Sequence, residues 1–188
     1  RPVSLTAVLC KVMERMIKEK MVEHLEKYGL MNRHQHGFTR ARSCLTNLLE
    51  TLEDWTRALD EGYGIDVVYL DYRKAFDTVP HKRLLKRLRQ CGFEGKILDW
   101  IEDFLCLRKT KVSVRGLYSI WRKMLSGVPQ GSVLGPLLFL IFICELPDWI
   151  KCNMKMFADD TKVWKRIGAV EDGEELQKDL DTMMEWSD

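Results

Sequence analysis

The run Val133–Cys144 holds no charged residue, and it restricts what the rest of the chain can become. It contains Gly135 and Pro136 and falls well short of the ~20 residues that a bilayer span requires, so it reads as a core helix. Such a helix has to be enclosed by other elements. The chain has the material to do so: 188 residues, 46% of them hydrophobic, suit one domain or part of a larger one and exclude disorder.

Around that run the hydrophobic period alternates between helix and strand. Val8, Val12, Met16, Met21, Val22 and Leu25 mark one helical stripe, which stops near Gly29. After a positively charged loop, Asn32–Arg42, a second stripe runs through Leu45, Leu48, Leu49, Leu52 and Trp55 to about Asp60. Ile65–Leu70, preceded by Gly62 and Gly64, predicts a buried strand that ends at Asp71. Pro80 opens a basic helix that closes at Gly92, with Asp77 as its expected cap. Ile97, Leu98, Ile101, Phe104 and Leu105 repeat at helical spacing. Alternation in Lys111–Arg115, Gly116 and the stretch 120–125 predict a hairpin, and Ser126–Ser132 is too rich in Gly and Pro to be regular. Met154–Phe157 and Thr161–Trp164 read as two short strands with Ala158, Asp159 and Asp160 at their turn. Glu171, Leu176, Leu180 and Met184 mark a last amphipathic helix.

Six scattered cysteines form no Cys-x-x-Cys pair, which favours free thiols and an intracellular protein. His34, His36 and Cys44 fit no common zinc spacing. The net charge of +2 would not by itself suggest a polyanionic partner. The basic segment His81–Arg89 suits either a phosphate track or a solvated face. The chain opens at Arg1-Pro2-Val3-Ser4 with no initiator Met or signal peptide, and it reads as a fragment at both ends.

Adjacent aspartates on a regular strand would point to opposite faces, so Asp159 and Asp160 belong at a turn, where a carboxylate can aim into a cleft. Gathered with Asp71 they would repel one another unless a divalent cation neutralised them, and hard oxygen ligands suit Mg²⁺. Two such ions about 3.5 to 4 Å apart can activate a 3′ hydroxyl and stabilise leaving pyrophosphate, which is nucleotidyl transfer. Taken alone, an Asp-Asp pair is more often a polar hairpin turn.

Five segments in order change that balance. Arg1-Pro2-Val3-Ser4-Leu5 with Lys11-Val12-Met13-Glu14, Gln35-His36-Gly37-Phe38-Thr39-Arg40-Ala41-Arg42-Ser43, Val68–Asp77, Ser126–Pro136 and Phe157-Ala158-Asp159-Asp160 together resemble the reverse transcriptases of non-LTR (LINE-type, jockey-like) retrotransposons over practically the whole chain. The first two resemble the family's fingers motifs, and the Val68–Asp77 segment its first catalytic motif.

The resemblance implies an α+β, right-hand polymerase fold: an antiparallel palm sheet packed on helices, with the thumb absent. Residues 1–62 and 81–125 would be fingers-like, and 63–80 and 126–188 palm-like. It implies that Asp71, Asp159 and Asp160 hold two Mg²⁺ ions, with Mn²⁺ a possible substitute. Phe76 would lie beneath the incoming sugar and select deoxynucleotides, while Gln130 and Gly131 would contact nucleotide and template. Arg40 and Arg42 are the candidates for gripping triphosphate. The family often carries Arg directly after Gly-Phe where this chain has Thr39, so the choice between them stays open. The expected partners are an RNA template, a DNA primer and dNTPs, with no membrane, oligomeric state open, and a nuclear site of action. One rival expectation is an inactive or domesticated relic that at most binds RNA. A second is an RNA-dependent RNA polymerase or intron maturase, against which Phe76 and the fingers motifs argue.

Overall fold

The computed structural model describes residues 6–187, so Arg1–Leu5 of the first motif lie outside the described residues. The described residues form two compact units, residues 6–30 with 74–142 and residues 31–73 with 143–187.

The first unit contains α1 (Val8–Lys27), a single turn α3 (Ala75–Thr78), α4 (His81–Gln90), α5 (Lys96–Cys106), four two-residue strands and α6 (Gly135–Ile143). The strands pair as β2 (Lys109–Thr110) with β5 (Arg122–Lys123), and β3 (Ser113–Val114) with β4 (Leu117–Tyr118). The uncharged run forms α6 as expected, with Leu137 to Ile141 all buried. Its leading amides do not go unpaired. The buried carboxylate of Glu14 on α1 accepts from the N–H groups of Val133 and Leu134 at 2.7 and 3.0 Å, and Ser132 Oγ accepts from Gly135 N–H at 2.9 Å. An anion at a helix N-terminus also meets the positive end of the helix dipole. Leu84, Leu85 and Leu88 of α4 and Leu98, Ile101 and Leu105 of α5 are buried, and the two helices pack on each other.

The second unit is built on a three-stranded antiparallel sheet in the order β1 (Gly64–Leu70), β7 (Asp160–Ile167), β6 (Asn153–Phe157). Helix α2 (Cys44–Asp60) packs on β1 and β6, with Trp55 edge-on to Trp164 at 6.2 Å between centroids. A capping box starts α2: Thr46 N–H donates to Ser43 Oγ while Ser43 N–H donates to Thr46 Oγ1. Helix α7 (Val170–Ser187) packs on β7 and on the 3₁₀ turn Leu146–Trp149. Asp179 of α7 accepts from the backbone N–H groups of Lys151 and Cys152 at 2.8 and 2.7 Å.

Three expectations about burial need correction. In α1 the buried positions are Glu14, Met21 and Leu25, while Val8, Val12 and Met16 are exposed, because the face is chosen by the carboxylate that caps α6. In α2 the buried face is Asn47, Thr51 and Ala58, and the leucines at 45, 48, 49 and 52 are exposed. Asn47 Nδ2 donates to Met156 O at 3.0 Å, so a polar side chain is what this sheet edge accepts. The strand β1 is half-buried rather than buried, since it is the edge of its sheet and Tyr69 is exposed.

Candidate active site

The antiparallel register carries two of the acidic residues to one place. Leu70 of β1 pairs with Thr161 of β7, and one step further out lie Asp71 and Asp160. Both line a cleft of about 250 Å³ together with Asn47, Tyr69, Lys155, Phe157 and Lys162. Asp159 occupies the other position of the β6–β7 turn, is buried, and is not among the cleft-lining residues. Among the described residues, no three His, Cys, Asp or Glu side chains gather as a metal-holding group. The site is therefore a two-carboxylate edge with a third aspartate beside it. Its donors are oxygens, which suits a hard cation, and Mg²⁺ in polymerase-type sites is held by one or two carboxylates plus substrate phosphates and water. The residues present fit such an ion.

The turn is tight and held from outside. Phe157 pairs with Asp160, which leaves Ala158 and Asp159 as the two linking residues. Ala158 has φ of 57°, a left-handed conformation that a residue with a Cβ adopts at a cost of roughly 1–2 kcal/mol. The buried side chain of Gln35 secures it. Gln35 Nε2 donates to Ala158 O at 3.1 Å, and Gln35 Oε1 accepts from Ala158 N–H at 2.8 Å and from Gly37 N–H at 2.7 Å. The backbone on either side is stitched the same way, with His36 N–H donating to Met156 O and Met156 N–H to His34 O, both at 2.9 Å. Gly37 is needed because a Cβ there would stand 2.3 Å from Ala158 N and 2.9 Å from the Phe157 carbonyl carbon. Gln35 and Gly37 belong to the second fingers-like motif, but no local sequence pattern points to this bracing role.

Burial dominates the titration of this region. It pushes His34 and His36 below the ordinary histidine range, although His34 faces Met154 O and His36 lies near Glu50. It pushes Lys162 down as well. The hydrogen bond from Lys155 holds the Glu50 carboxyl below its usual range. The phenol of Tyr72, next to Asp71, is buried and pushed up to about 12.

Of the two candidate arginines, Arg40 is exposed. Arg42 Nη1 donates to Gln35 O at 3.1 Å and also to Arg33 O, so part of its guanidinium is spent on the loop itself.

The remaining predicted residues lie in the first unit. Phe76 stacks on Phe139 of α6, with ring centroids 4.2 Å apart and planes 19° apart. Gln130 Nε2 donates to Asp77 Oδ1 at 2.9 Å. Asp77 is therefore not the cap of α4, whose N-cap is Pro80 with no side-chain hydrogen bond. The loop 126–131 is tied to the 76–79 backbone: Gly127 N–H donates to Val79 O, and Val128 N–H to Phe76 O, each at 2.8 Å. Gly131 has φ of 89°, which explains glycine there.

The family model for reverse transcriptase (RNA-dependent DNA polymerase) matches residues 1–188. The chain is 32% identical to the probable RNA-directed DNA polymerase from transposon BS of Drosophila melanogaster over 99% of its length, but spans 21% of that protein. It is 32% identical to the RNA-directed DNA polymerase from mobile element jockey of the same fly, over the whole chain and again 21% of the relative. Among solved structures, telomerase from Candida tropicalis in complex with a TWJ fragment of telomeric RNA superposes with a TM-score of 0.62 at 14% identity, covering 92% of this chain and 30% of that one. At that identity the likeness speaks for the fold alone, and the helices and antiparallel sheets described above are those of a partial polymerase fold. The chain thus spans about a fifth of the length of the curated relatives it matches.

Proposed function

The chain belongs to the reverse transcriptase (RNA-dependent DNA polymerase) family, and on that premise we propose that it forms the catalytic core of an RNA-directed DNA polymerase of a non-LTR element. It would extend a primer 3′ end with dNTPs on an RNA template, acting in the nucleus. The observation that carries the proposal is the shared cleft edge of Asp71 and Asp160 at the end of the β1–β7 ladder.

In this reading Asp71 and Asp160 hold divalent metal, Mg²⁺ by preference, with Asp159 contributing from the same turn. The bound metal would lower the pKa of the attacking hydroxyl and offset charge on the phosphates. The protein's own part would be positioning: Gln35 and the backbone around it fix the turn, which would hold the carboxylates in place before substrate binds. Phe76, braced by Phe139, would present a ring edge that excludes a ribose 2′ hydroxyl. Gln130 and Gly131 would contact nucleotide and template, and Arg40, with Arg42 as the alternative, would meet the triphosphate. Residues 63–80 and 126–188 would be palm-like, and 1–62 and 81–125 fingers-like.

Metal binding can be tested without turnover. Terbium emission sensitised through Tyr69, which lines the same cleft, should fall sharply in Asp71→Asn and in Asp160→Asn. Undiminished emission in both variants would reject these ligands.

A further inference from the structure

The nested hairpin of the first unit takes no part in the site above, and its composition is one-sided. Residues 109–123 are all exposed and include Lys109, Lys111, Arg115, Arg122 and Lys123 without a single Asp or Glu. Lys109 stands directly across from Lys123, a like-charge pair that opposes the hairpin it belongs to. Each ladder is two residues long, and a hairpin of that size is marginal by itself. The apolar side chains are equally open: Val112, Val114, Leu117, Tyr118, Ile120 and Trp121 are each at least 60% exposed. The ammonium of Lys111 lies 4.2 Å from the Tyr118 ring centroid and 4.9 Å from that of Trp121. Cations interleaved with exposed aromatic rings therefore share one small projection.

We infer that this hairpin is a docking surface for single-stranded RNA. A strand of RNA matches both halves of the surface. Its phosphates would relieve the Lys109–Lys123 repulsion, and its bases offer flat faces to Tyr118 and Trp121. Lys111, already seated against both rings, would add charge where bases and backbone meet. Arg108 is excluded from the surface, because its guanidinium donates to Gly127 O at 2.7 Å and also to Leu105 O, and burial lowers its pKa. The choice of RNA rests on the polymerase reading; the charge and ring geometry do not.

The test uses the 188-residue chain and a fluorescein-labelled single-stranded RNA 20-mer, with binding followed by anisotropy across a KCl series. Substituting Lys109→Gln, Arg122→Gln and Lys123→Gln together should flatten the slope of log K against log salt by about 2, since each phosphate contact on a single strand adds about 0.7. Replacing Tyr118→Ala with Trp121→Ala should weaken binding by on the order of tenfold and leave the slope unchanged. Unaltered affinity and slope in both variants, with native far-UV dichroism, would overturn the inference. So would polyglutamate of equal length competing as well as the RNA, which would mark an acidic-peptide surface instead. Neither variant touches the cleft, so hairpin-dependent binding without primer extension would count against the polymerase reading alone.

Discussion

Replacing Gly37 by alanine should deform the turn that carries Asp159 and Asp160. The added Cβ would stand 2.3 Å from Ala158 N and 2.9 Å from the Phe157 carbonyl carbon, and both are backbone atoms that no rotamer change can remove. Normal contact for such atoms is about 3.5 Å, so the turn would have to retreat by about 1 Å. That displacement breaks the two hydrogen bonds between Gln35 and Ala158, at 2.8 and 3.1 Å. At about 1 kcal/mol net for each bond, with an overpacking cost of a further ~1–3 kcal/mol, the loss comes to about 4 kcal/mol. For a chain of this size the melting temperature should drop by roughly 10 °C. Amide exchange gives the local readout, because Ala158 N–H is protected only while Gln35 accepts from it. Incorporation should suffer on the order of a hundredfold, the effect of about 1 Å of misplacement at a reacting centre. Parental stability together with unchanged protection of the Ala158 amide would refute the account of this contact.

Three further outcomes follow from the same structure. Glu14→Ala should cost about 2–4 kcal/mol in urea unfolding, because the Val133 and Leu134 amides lose a charged acceptor; a change under 0.5 kcal/mol would show that α6 does not depend on it. Burial lowers the pKa of His34 and His36 in the fold, so the unfolded chain binds protons more readily. Their contribution to stability is full above about pH 6.5 and is lost as the pH falls below it, and His34→Gln combined with His36→Gln should shrink that loss. A pH profile identical to the parent's would contradict this. Phe76→Val should raise ribonucleotide incorporation relative to deoxynucleotide, and an unchanged sugar preference would remove Phe76 as the gate.

The elements themselves were largely legible in the sequence. The β6–β7 hairpin follows from two period-2 runs around Ala158–Asp160, α6 from its uncharged run, and the end of α1 from Gly29, whose φ is 62°. The buried faces of α1 and α2 were not legible, because polar residues win positions there that a hydrophobic rule assigns to apolar side chains. Glu14 and Asn47 are buried to satisfy backbone groups at α6 and β6. The role of Gln35 was hidden for another reason, since its partner lies 123 positions away and no local pattern announces such a bond. Asp77 shows the opposite error: a short-range capping rule was applied where a hydrogen bond to Gln130 across 53 positions prevails.

The assignment of the aspartates to metal is tested most directly by primer extension on an RNA template with Mg²⁺ and dNTPs. Template-directed DNA synthesis should fall to background in Asp71→Ala, in Asp160→Ala and in Asp159→Ala, while RNA binding through the hairpin persists. Synthesis that survives any of these substitutions would contradict the assignment of that aspartate to metal.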